Sequence, residues 1–311
     1  MSLGQSLTLL AIVLQSLGAV LYGTFLAGIS TPLFVLVSLG LTGAVFLVGV
    51  RFRLPREGRG LLVLANLWTA VGFIGFFFAL KHLPPSLFAS IEIGTSLLTA
   101  LALTAVQARA WPLPVRALAC LGILSGCALL SWEQVATSMT EPSGALVWIA
   151  IIAATATGIT TALSASTCKQ LAASGWNSAS VLAHRFYLTV AIAAVWLPLE
   201  AVAIVVPEGS TLALMMMVAA LGTLIPLLLL QAALRRTDEV SVLVCMAALP
   251  ILSFLISLPS PAYEWSWITL AGVLVVTLFV GWDIWAGRVE ETGDAARGGV
   301  PRFRRTNLAL V

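Results

Sequence analysis

Ten apolar runs, most of them about twenty residues long, follow one another along nearly the whole chain. A helix needs about 20 residues to cross the hydrocarbon core of a bilayer, so each run is long enough to span a membrane. Charged residues, Pro or Gly bound the runs, which cover residues 6–27, 31–50, 61–80, 86–106, 114–132, 144–167, 179–199, 211–232, 239–258 and 265–286. The sequence therefore predicts an all-α integral membrane protein with ten transmembrane helices.

The composition excludes several other classes of protein. Of the 311 residues, 60% are hydrophobic and only 9% are charged, against roughly 25% charged residues in an ordinary soluble domain. The net charge of +3 is spread over connections and the C-terminal tail, whereas a nucleic-acid-binding protein concentrates its basic residues on one face. The apolar runs are continuous, unlike the alternating strands of about ten residues in an outer-membrane barrel.

The cations predict the orientation of the chain in the membrane. With the N-terminus inside, every Lys and Arg except Lys81 falls on the cytoplasmic side or at an adjoining helix end, as the positive-inside rule requires. We therefore expect a multi-pass protein of the inner (plasma) membrane with both termini cytoplasmic. Residues 287–311 are polar and Gly-rich, which predicts a disordered tail. Alternatively, the basic residues of this tail contact anionic lipid headgroups.

Two segments of the chain resemble each other at an offset of 154 residues. Without a gap, Ala79, Leu80 and Lys81 align with Ala233, Leu234 and Arg235, and Ser96 aligns with Pro250. Each half would contain five spans, so the second copy would cross the membrane upside down. The sequence thus predicts two inverted five-helix repeats, residues 1–143 and 144–286, an architecture found in transporters with alternating access.

These features resemble the drug/metabolite transporter superfamily, in particular its EamA-like members. The segment ALKHLPPSLFASIEIGTSLLTAL is similar to a hairpin of the threonine/homoserine exporter branch, in which a Leu-Glu-Phe-Thr-Gly-Pro-like segment occupies the fourth helix. Glu92 matches that Glu, and Arg185 with Phe186 matches the family's Arg-Phe pair. In the second half, Ala248-Leu249-Pro250 stands where the family often has Leu-Glu-Pro. The resemblance implies export of a small metabolite, such as an amino acid, by alternating access.

Glu92 is the candidate site residue with the sharpest chemical meaning. An ionised carboxylate that faces lipid is costly, so Glu92 should face the bundle interior and either pair with a cation or take up a proton. Its hydroxyl neighbours Thr95 and Ser96 follow at i+3 and i+4, on the same helical face. Glu92 would bind a substrate ammonium or exchange a proton for it; alternatively, Lys81, His82 or backbone donors hold it at a partly wet rim.

The sixth and third runs offer further polar candidates. Thr157, Thr161, Ser164 and Cys168 form one stripe of the sixth helix, and Asn66 shares a face of the third helix with Thr69. Small hydroxyl residues either line a binding wall or allow close packing of helices. Both readings stay open for these positions.

Four larger side chains complete the candidate set. Trp68 either packs against neighbouring helices or provides an aromatic wall for a cationic or apolar substrate. Tyr22 and Tyr187 could each offer a hydroxyl to a cavity. Arg185 lies near the cytoplasmic end of its run, where a long side chain commonly snorkels to the headgroups; its alternative role is a gate or an anchor for a carboxylate.

The function that these observations predict is secondary active export of a small polar metabolite, driven by protons or by the substrate gradient. Its partners would be the small-molecule substrate, protons and membrane lipid, with no nucleic acid, cofactor or metal, and either a monomer or a homodimer. No Gly-rich phosphate loop of an ATP-driven pump occurs. Transport of lipophilic or quaternary-ammonium cations is the alternative, and an intramembrane enzyme or a receptor fits less well.

Overall fold

The structure is a computed structural model, and it describes residues 3–26, 28–51, 57–108, 114–138, 144–199, 209–234, 245–246, 248–260, 263 and 266–296. Within these ranges the chain is helical and contains no strand. The helices that we number are α1 Leu3–Leu21, α2 Thr31–Gly49, α3 Arg59–His82, α4 Pro85–Ala108, α5 Pro114–Ser138, α6 Gly144–Ala173, α7 Ser178–His184, α8 Tyr187–Trp196, α9 Gly209–Ala219, α10 Ile225–Leu234, α11 Leu249–Ser257 and α12 Trp267–Ala296.

Seven helical segments among the described residues are long and apolar enough to cross a membrane. They are Leu3–Leu26, Thr31–Gly49, Arg59–His82, Pro85–Leu103, Ala145–Ala173, Ser178–Leu199 and Gly209–Leu230. Shorter apolar stretches lie in α5 and α12, at Leu118–Glu133 and Trp267–Trp282. The predicted all-α class is confirmed, and the helices are those of a membrane-embedded protein. The start of the ninth predicted run, residues 239–244, lies outside the described residues.

The seventh predicted run, 179–199, is not one continuous helix. It divides into α7 and α8, and the two residues between them, Arg185 and Phe186, have ψ angles of −7° and 0° instead of the helical value near −42°. The eighth run contains a π-helical turn at Ala220–Leu224 between α9 and α10. Single π-helical turns inside longer helices often occur at functional sites. Hydropathy does not detect either interruption, because both lie inside longer apolar runs.

The C-terminal helix extends beyond its predicted end at residue 286. α12 continues to Ala296, so residues 287–296 are helical where the sequence predicts a disordered tail. An existing helix adds residues without a new nucleation step, and Glu290, Glu291 and Ala295 are good helix formers. Residues 297–311 lie outside the described residues.

The helices pack so that α6 and α1 each lie mainly against two other helices. α6 packs against α3 and α4, while α1 packs against α10 and α11. Glycines permit the closest approach in the second group: Gly18 of α1 faces Gly222 of the π-helical turn, and a side chain at either position would overlap the other backbone. Further pairs are α2 with α7, α8 and α9, α3 with α8, α4 with α11 and α5 with α12.

Candidate functional site

A cavity of about 580 Å³ lies among α1, α3, α4, α6, α7 and α10. Its wall is mostly apolar, but two charged side chains that are nearly buried, Glu92 and Arg185, both line it. Eight of the candidate residues predicted from the sequence line this cavity, namely Trp68, Thr69, Glu92, Thr157, Thr161, Ser164, Cys168 and Arg185.

The sequence between α3 and α4 positions Glu92. Pro84 disfavours a helical conformation at the residue before it, and Leu83 is accordingly extended, with φ −124° and ψ 144°. α4 then begins at Pro85, because proline is well suited to the first turn of a helix. Glu92 follows seven residues later, about 10 Å along the helix axis.

Glu92 is 6% exposed, and only one of its carboxylate oxygens has a partner among the described residues. Thr161 Oγ1 donates a hydrogen bond to Glu92 Oε1 over 3.3 Å, whereas Oε2 is buried with no hydrogen-bond partner. Lys81 does not hold it, since Lys81 Nζ donates to the carbonyl of Ile29 at 3.4 Å. The alternative of a carboxylate tied to Lys81 therefore does not describe this structure.

The backbone of α4 lies against α6 beside Glu92. A side chain at Gly158 would overlap Thr95 Oγ1 and would reach the carbonyl of Glu92 at 2.5 Å. The Thr95 hydroxyl donates to the carbonyl of Ile91 on its own helix at 2.6 Å. Thr95 and Ser96 do not line the cavity, and the Thr95 hydroxyl faces the α4–α6 contact instead.

The predicted polar stripe of α6 lies along the cavity. Each hydroxyl has a different partner: Thr157 Oγ1 donates to the carbonyl of Gly72 on α3 at 3.2 Å, Thr161 bonds to Glu92, and Ser164 bonds to Arg185. Thr157 thus joins two helices. Thr161 and Ser164 instead contact the two charged side chains, one helical turn apart.

Arg185 does not snorkel away from the bundle, contrary to the first of its two predicted roles. It is 8% exposed, and its Nε donates to Thr69 Oγ1 at 3.1 Å while Nη2 donates to Ser164 Oγ at 3.0 Å. Its guanidinium carbon lies 5.5 Å from the ring centroid of Phe186. The physical reason is that hydroxyls on α3 and α6 accept hydrogen bonds from the guanidinium inside the bundle, so it has polar partners without reaching the headgroups.

Asn66 does not line the cavity but bridges the break in the seventh span. Its Nδ2 donates to the carbonyl of His184 at 2.9 Å, and its Oδ1 accepts from the N–H of Leu188 at 3.1 Å. Nδ2 also donates to the carbonyl of Leu62 at 3.0 Å. Three hydrogen bonds therefore satisfy this buried amide, as expected for a buried polar group.

The two candidate tyrosines lie outside the cavity wall. The Tyr22 ring is buried against Phe34 and Phe77, at centroid distances of 4.7 and 5.3 Å. Tyr187 is 48% exposed, and its hydroxyl lies 2.6 Å from His184 Nδ1. Neither hydroxyl is in a position to contact a solute in this cavity.

Aromatic side chains pack together at one end of the cavity, where Phe76 is part of the wall. We call the rings of Tyr22, Phe34, Phe76, Phe77 and Phe88 the aromatic cluster; each lies within 5.3 Å of a neighbouring ring centroid. At the other end the cavity reaches the exposed side chain of Lys169 and the indole of Trp176. The Trp176 Nε1 donates to the carbonyl of Glu57 at 2.8 Å.

No family model matches the chain. No curated protein matches it either. A solved structure, known only as the crystal structure of a protein, is similar to it with a TM-score of 0.61 and 20% sequence identity. The likeness covers 92% of this chain and 98% of the other. At this level of identity the comparison shows a shared fold and nothing of the activity.

Several residues of the cavity wall are not among the candidates predicted from the sequence. Phe73, Phe76, Trp176 and Met246 line the cavity. Phe73, Phe76 and Met246 lie in apolar runs, where packing is the simplest prediction, and Trp176 lies in the polar connection between the sixth and seventh runs. A helical period offered one signal, because Trp68, Gly72 and Phe76 recur every four residues along α3. Within the described ranges, no group of three or more His, Cys, Asp or Glu could hold a metal ion.

Proposed function

We propose that this protein is a secondary active transporter that exports a small polar metabolite, an amino acid or a related compound, by alternating access. The proposal depends on one observation: Glu92 and Arg185, one acid and one base, line the same cavity and are not paired with each other. A buried charge without a countercharge is costly in a membrane protein and marks a functional site. The cavity thus offers a site of each sign.

The spacing of the two charges suits a compact zwitterion. Glu92 contacts Thr161, and Arg185 contacts Ser164. These two α6 residues are three positions apart, which corresponds to about 4.5 Å along the helix. A substrate with its ammonium toward Glu92 and its carboxylate toward Arg185 would fit between them, and charge-assisted hydrogen bonds would hold both ends.

We further propose that the chain consists of two inverted five-helix repeats and belongs to the drug/metabolite transporter superfamily. The contacts between helices support the inverted repeats. If each span is replaced by the span five places further along or back in the chain, one observed pair of contacting helices becomes another observed pair. α3 with α6 corresponds to α10 with α1, α4 with α6 to α11 with α1, and α3 with α8 to α9 with α2. When the two copies are aligned at the offset of 154 residues, Glu92 aligns with Met246, and both residues line the cavity. Only one copy therefore has the carboxylate.

The proposed orientation makes this structure an inward-facing state. In the predicted topology, Lys169 and the α6–α7 connection are cytoplasmic, and the cavity extends toward them. The aromatic cluster lies toward the outer face. Both termini would be cytoplasmic, and the protein would reside in the inner (plasma) membrane, with protons or the substrate gradient as the driving force.

Transport by purified protein in liposomes tests the proposal. We expect counterflow of a radiolabelled amino acid from a panel, stimulated by a pH gradient, and we expect Glu92→Gln to abolish the stimulation. Glu133→Gln is the matched control: this carboxylate on α5 accepts from the hydroxyls of Ser266 and Thr269 and should tolerate the change. If the wild type moves no member of an amino-acid and cation panel, transport of such solutes is refuted.

A second candidate function is export of lipophilic or quaternary-ammonium cations. The wall contributes Trp68, Phe73, Phe76 and Trp176, and aromatic faces attract such cations. This function needs Glu92 but no group for a carboxylate. The effect of replacing Arg185 on amino acids and on cations separates the two candidates.

A further inference from the structure

The seventh span is interrupted between Arg185 N, which still donates to Val181 O, and Val190 N, which donates to Phe186 O. In a continuous α-helix the N–H of Leu188 would donate to the carbonyl of His184, four residues earlier. In this protein the Asn66 side chain takes both groups, accepting from Leu188 N over 3.1 Å and donating to His184 O over 2.9 Å. A side chain inserted into the hydrogen-bond series of a helix is a recognised cause of a break.

Asn66 comes from a neighbouring helix, so the break is imposed from outside the seventh span. The span itself contains no proline near the break: Ala183, His184, Arg185, Phe186 and Tyr187 are all compatible with a continuous helix. The helical hydrogen bonds resume on either side, with Arg185 N donating to Val181 O and Val190 N donating to Phe186 O. The interruption is therefore confined to the turn that the Asn66 amide spans.

The interrupted turn contains Arg185. Thr69 lies one turn after Asn66 on α3, and its hydroxyl accepts from Arg185 Nε over 3.1 Å. One face of α3 thus binds both the interrupted backbone, through Asn66, and the Arg185 side chain, through Thr69. Ser164 on α6 accepts from Nη2 over 3.0 Å and completes the arrangement.

We propose that Asn66 is a positioning residue that keeps the seventh span broken so that Arg185 lies in the cavity. Without the amide, Leu188 N–H bonds directly to His184 C=O, the span becomes continuous, and the guanidinium withdraws from the wall. The inference rests on the proposed function, in which Arg185 binds the anionic group of the substrate. It makes Asn66 a determinant of specificity although this residue touches no solute.

Cys168 allows a test that needs no substrate. This native thiol lines the cavity and lies one turn after Ser164, the partner of Arg185. In a background with Cys120, Cys127 and Cys245 replaced by Ala, the detergent-solubilised protein is treated with an anionic and a cationic methanethiosulfonate reagent. The ratio of their labelling rates reports the charge of the cavity, because a nearby guanidinium attracts one reagent and repels the other.

We expect the wild type to favour the anionic reagent and Arg185→Gln to lower the ratio by at least about tenfold. Asn66→Leu should lower the ratio toward that of Arg185→Gln, although it leaves every charge in place. Asn177→Ala is the matched control, since this residue caps the start of α7 by accepting from Ser180 N at 2.7 Å without contacting the break. It should leave the ratio unchanged.

The proposal is overturned if Asn66→Leu keeps the wild-type ratio of labelling rates. This holds provided that size-exclusion chromatography and thermal unfolding show the variant to be folded. Asn66→Ala serves the same purpose if the leucine variant does not fold. Failure of both to fold, while Asn177→Ala folds, would assign Asn66 a structural role and also overturn the proposal. Because labelling needs no transport, these outcomes are separate from a failure of the proposed function, which the liposome assay detects.

Discussion

Thr161 donates a hydrogen bond to Glu92 over 3.3 Å and is the only described partner of this buried carboxylate. A hydroxyl donor supplies no charge, so the carboxylate retains its demand for a cation or a proton. The second oxygen, Oε2, has no hydrogen-bond partner. This incomplete pairing distinguishes Glu92 from Glu133, both of whose oxygens accept hydrogen bonds.

Replacing Glu92 with Gln should reduce amino-acid counterflow by about 10- to 100-fold. The reason is that the substrate loses one charge-assisted hydrogen bond, which contributes about 1.5–3 kcal/mol to binding. It should also abolish the dependence of the remaining transport on external pH, because the amide does not titrate. Liposome counterflow between pH 5.5 and 8.5 measures both effects. Undiminished transport with the wild-type pH profile would exclude Glu92 as the binding or coupling group.

Replacing Arg185 with Gln should discriminate between the two candidate functions. For an amino acid, we expect KM to rise by about 10- to 100-fold, since a charged hydrogen-bond donor to the carboxylate is lost. For the corresponding amine, which is the same compound without the carboxylate, the KM of the variant should stay within about twofold of the wild-type KM. A variant that transports the amino acid with unchanged KM would favour a cation as the substrate and contradict the zwitterion arrangement.

Hydropathy and charge predicted the helical class and most helix positions correctly, because long apolar runs have few stable alternatives in a membrane. The same signals contain no information on side chains that act across helices. The break at Arg185 and Phe186 lies in an apolar run and is caused by Asn66, about 120 positions earlier in the sequence. Of the two predicted roles of Arg185, snorkelling to the headgroups is consequently wrong, because the side chain lines the cavity.

Among the polar candidates, prediction worked where an intramembrane charge left few alternatives. Glu92 was singled out because lipid does not tolerate it, and it does line the cavity. Thr95 and Tyr22 do not, since a hydroxyl on a helix can be satisfied by its own backbone or buried among rings. Helical spacing places such a residue on a face, but only the packing of α4 against α6 decides what that face meets.

Gly158 is expected to be essential for the position of Glu92. Gly158→Ala inserts a methyl group into the backbone contact between α6 and α4, and overpacking of this kind costs about 1–3 kcal/mol. The matched control is Gly40→Ala on α2, where a side chain would meet nothing within 4 Å. Thermal unfolding in detergent should show a lower Tm for Gly158→Ala and an equal or higher Tm for Gly40→Ala. Equal Tm values for both would contradict the close approach.

The aromatic cluster is expected to block access to the cavity from the outer face. In a background with Cys168 as the only cysteine, an impermeant thiol reagent should label inside-out vesicles and leave right-side-out vesicles unlabelled. Phe77 is 2% exposed and contacts both Tyr22 and Phe34, so Phe77→Ala removes the ring that joins them. We expect outside labelling of Cys168 in this variant to rise by about tenfold, the change that follows from stabilising an open state by about 1.4 kcal/mol.

Phe25→Ala is the matched control for this experiment. Phe25 lies with Tyr22 in a π-helical turn, Tyr22–Leu26, but its side chain is 62% exposed and makes no ring contact with the cluster. Its removal should leave outside labelling at the wild-type level, because it opens no path between the helices. Labelling of the wild type from the outer face at the rate seen from the inner face would show that the rings do not close the cavity. It would also contradict the inward-facing assignment, since that depends on the same closure.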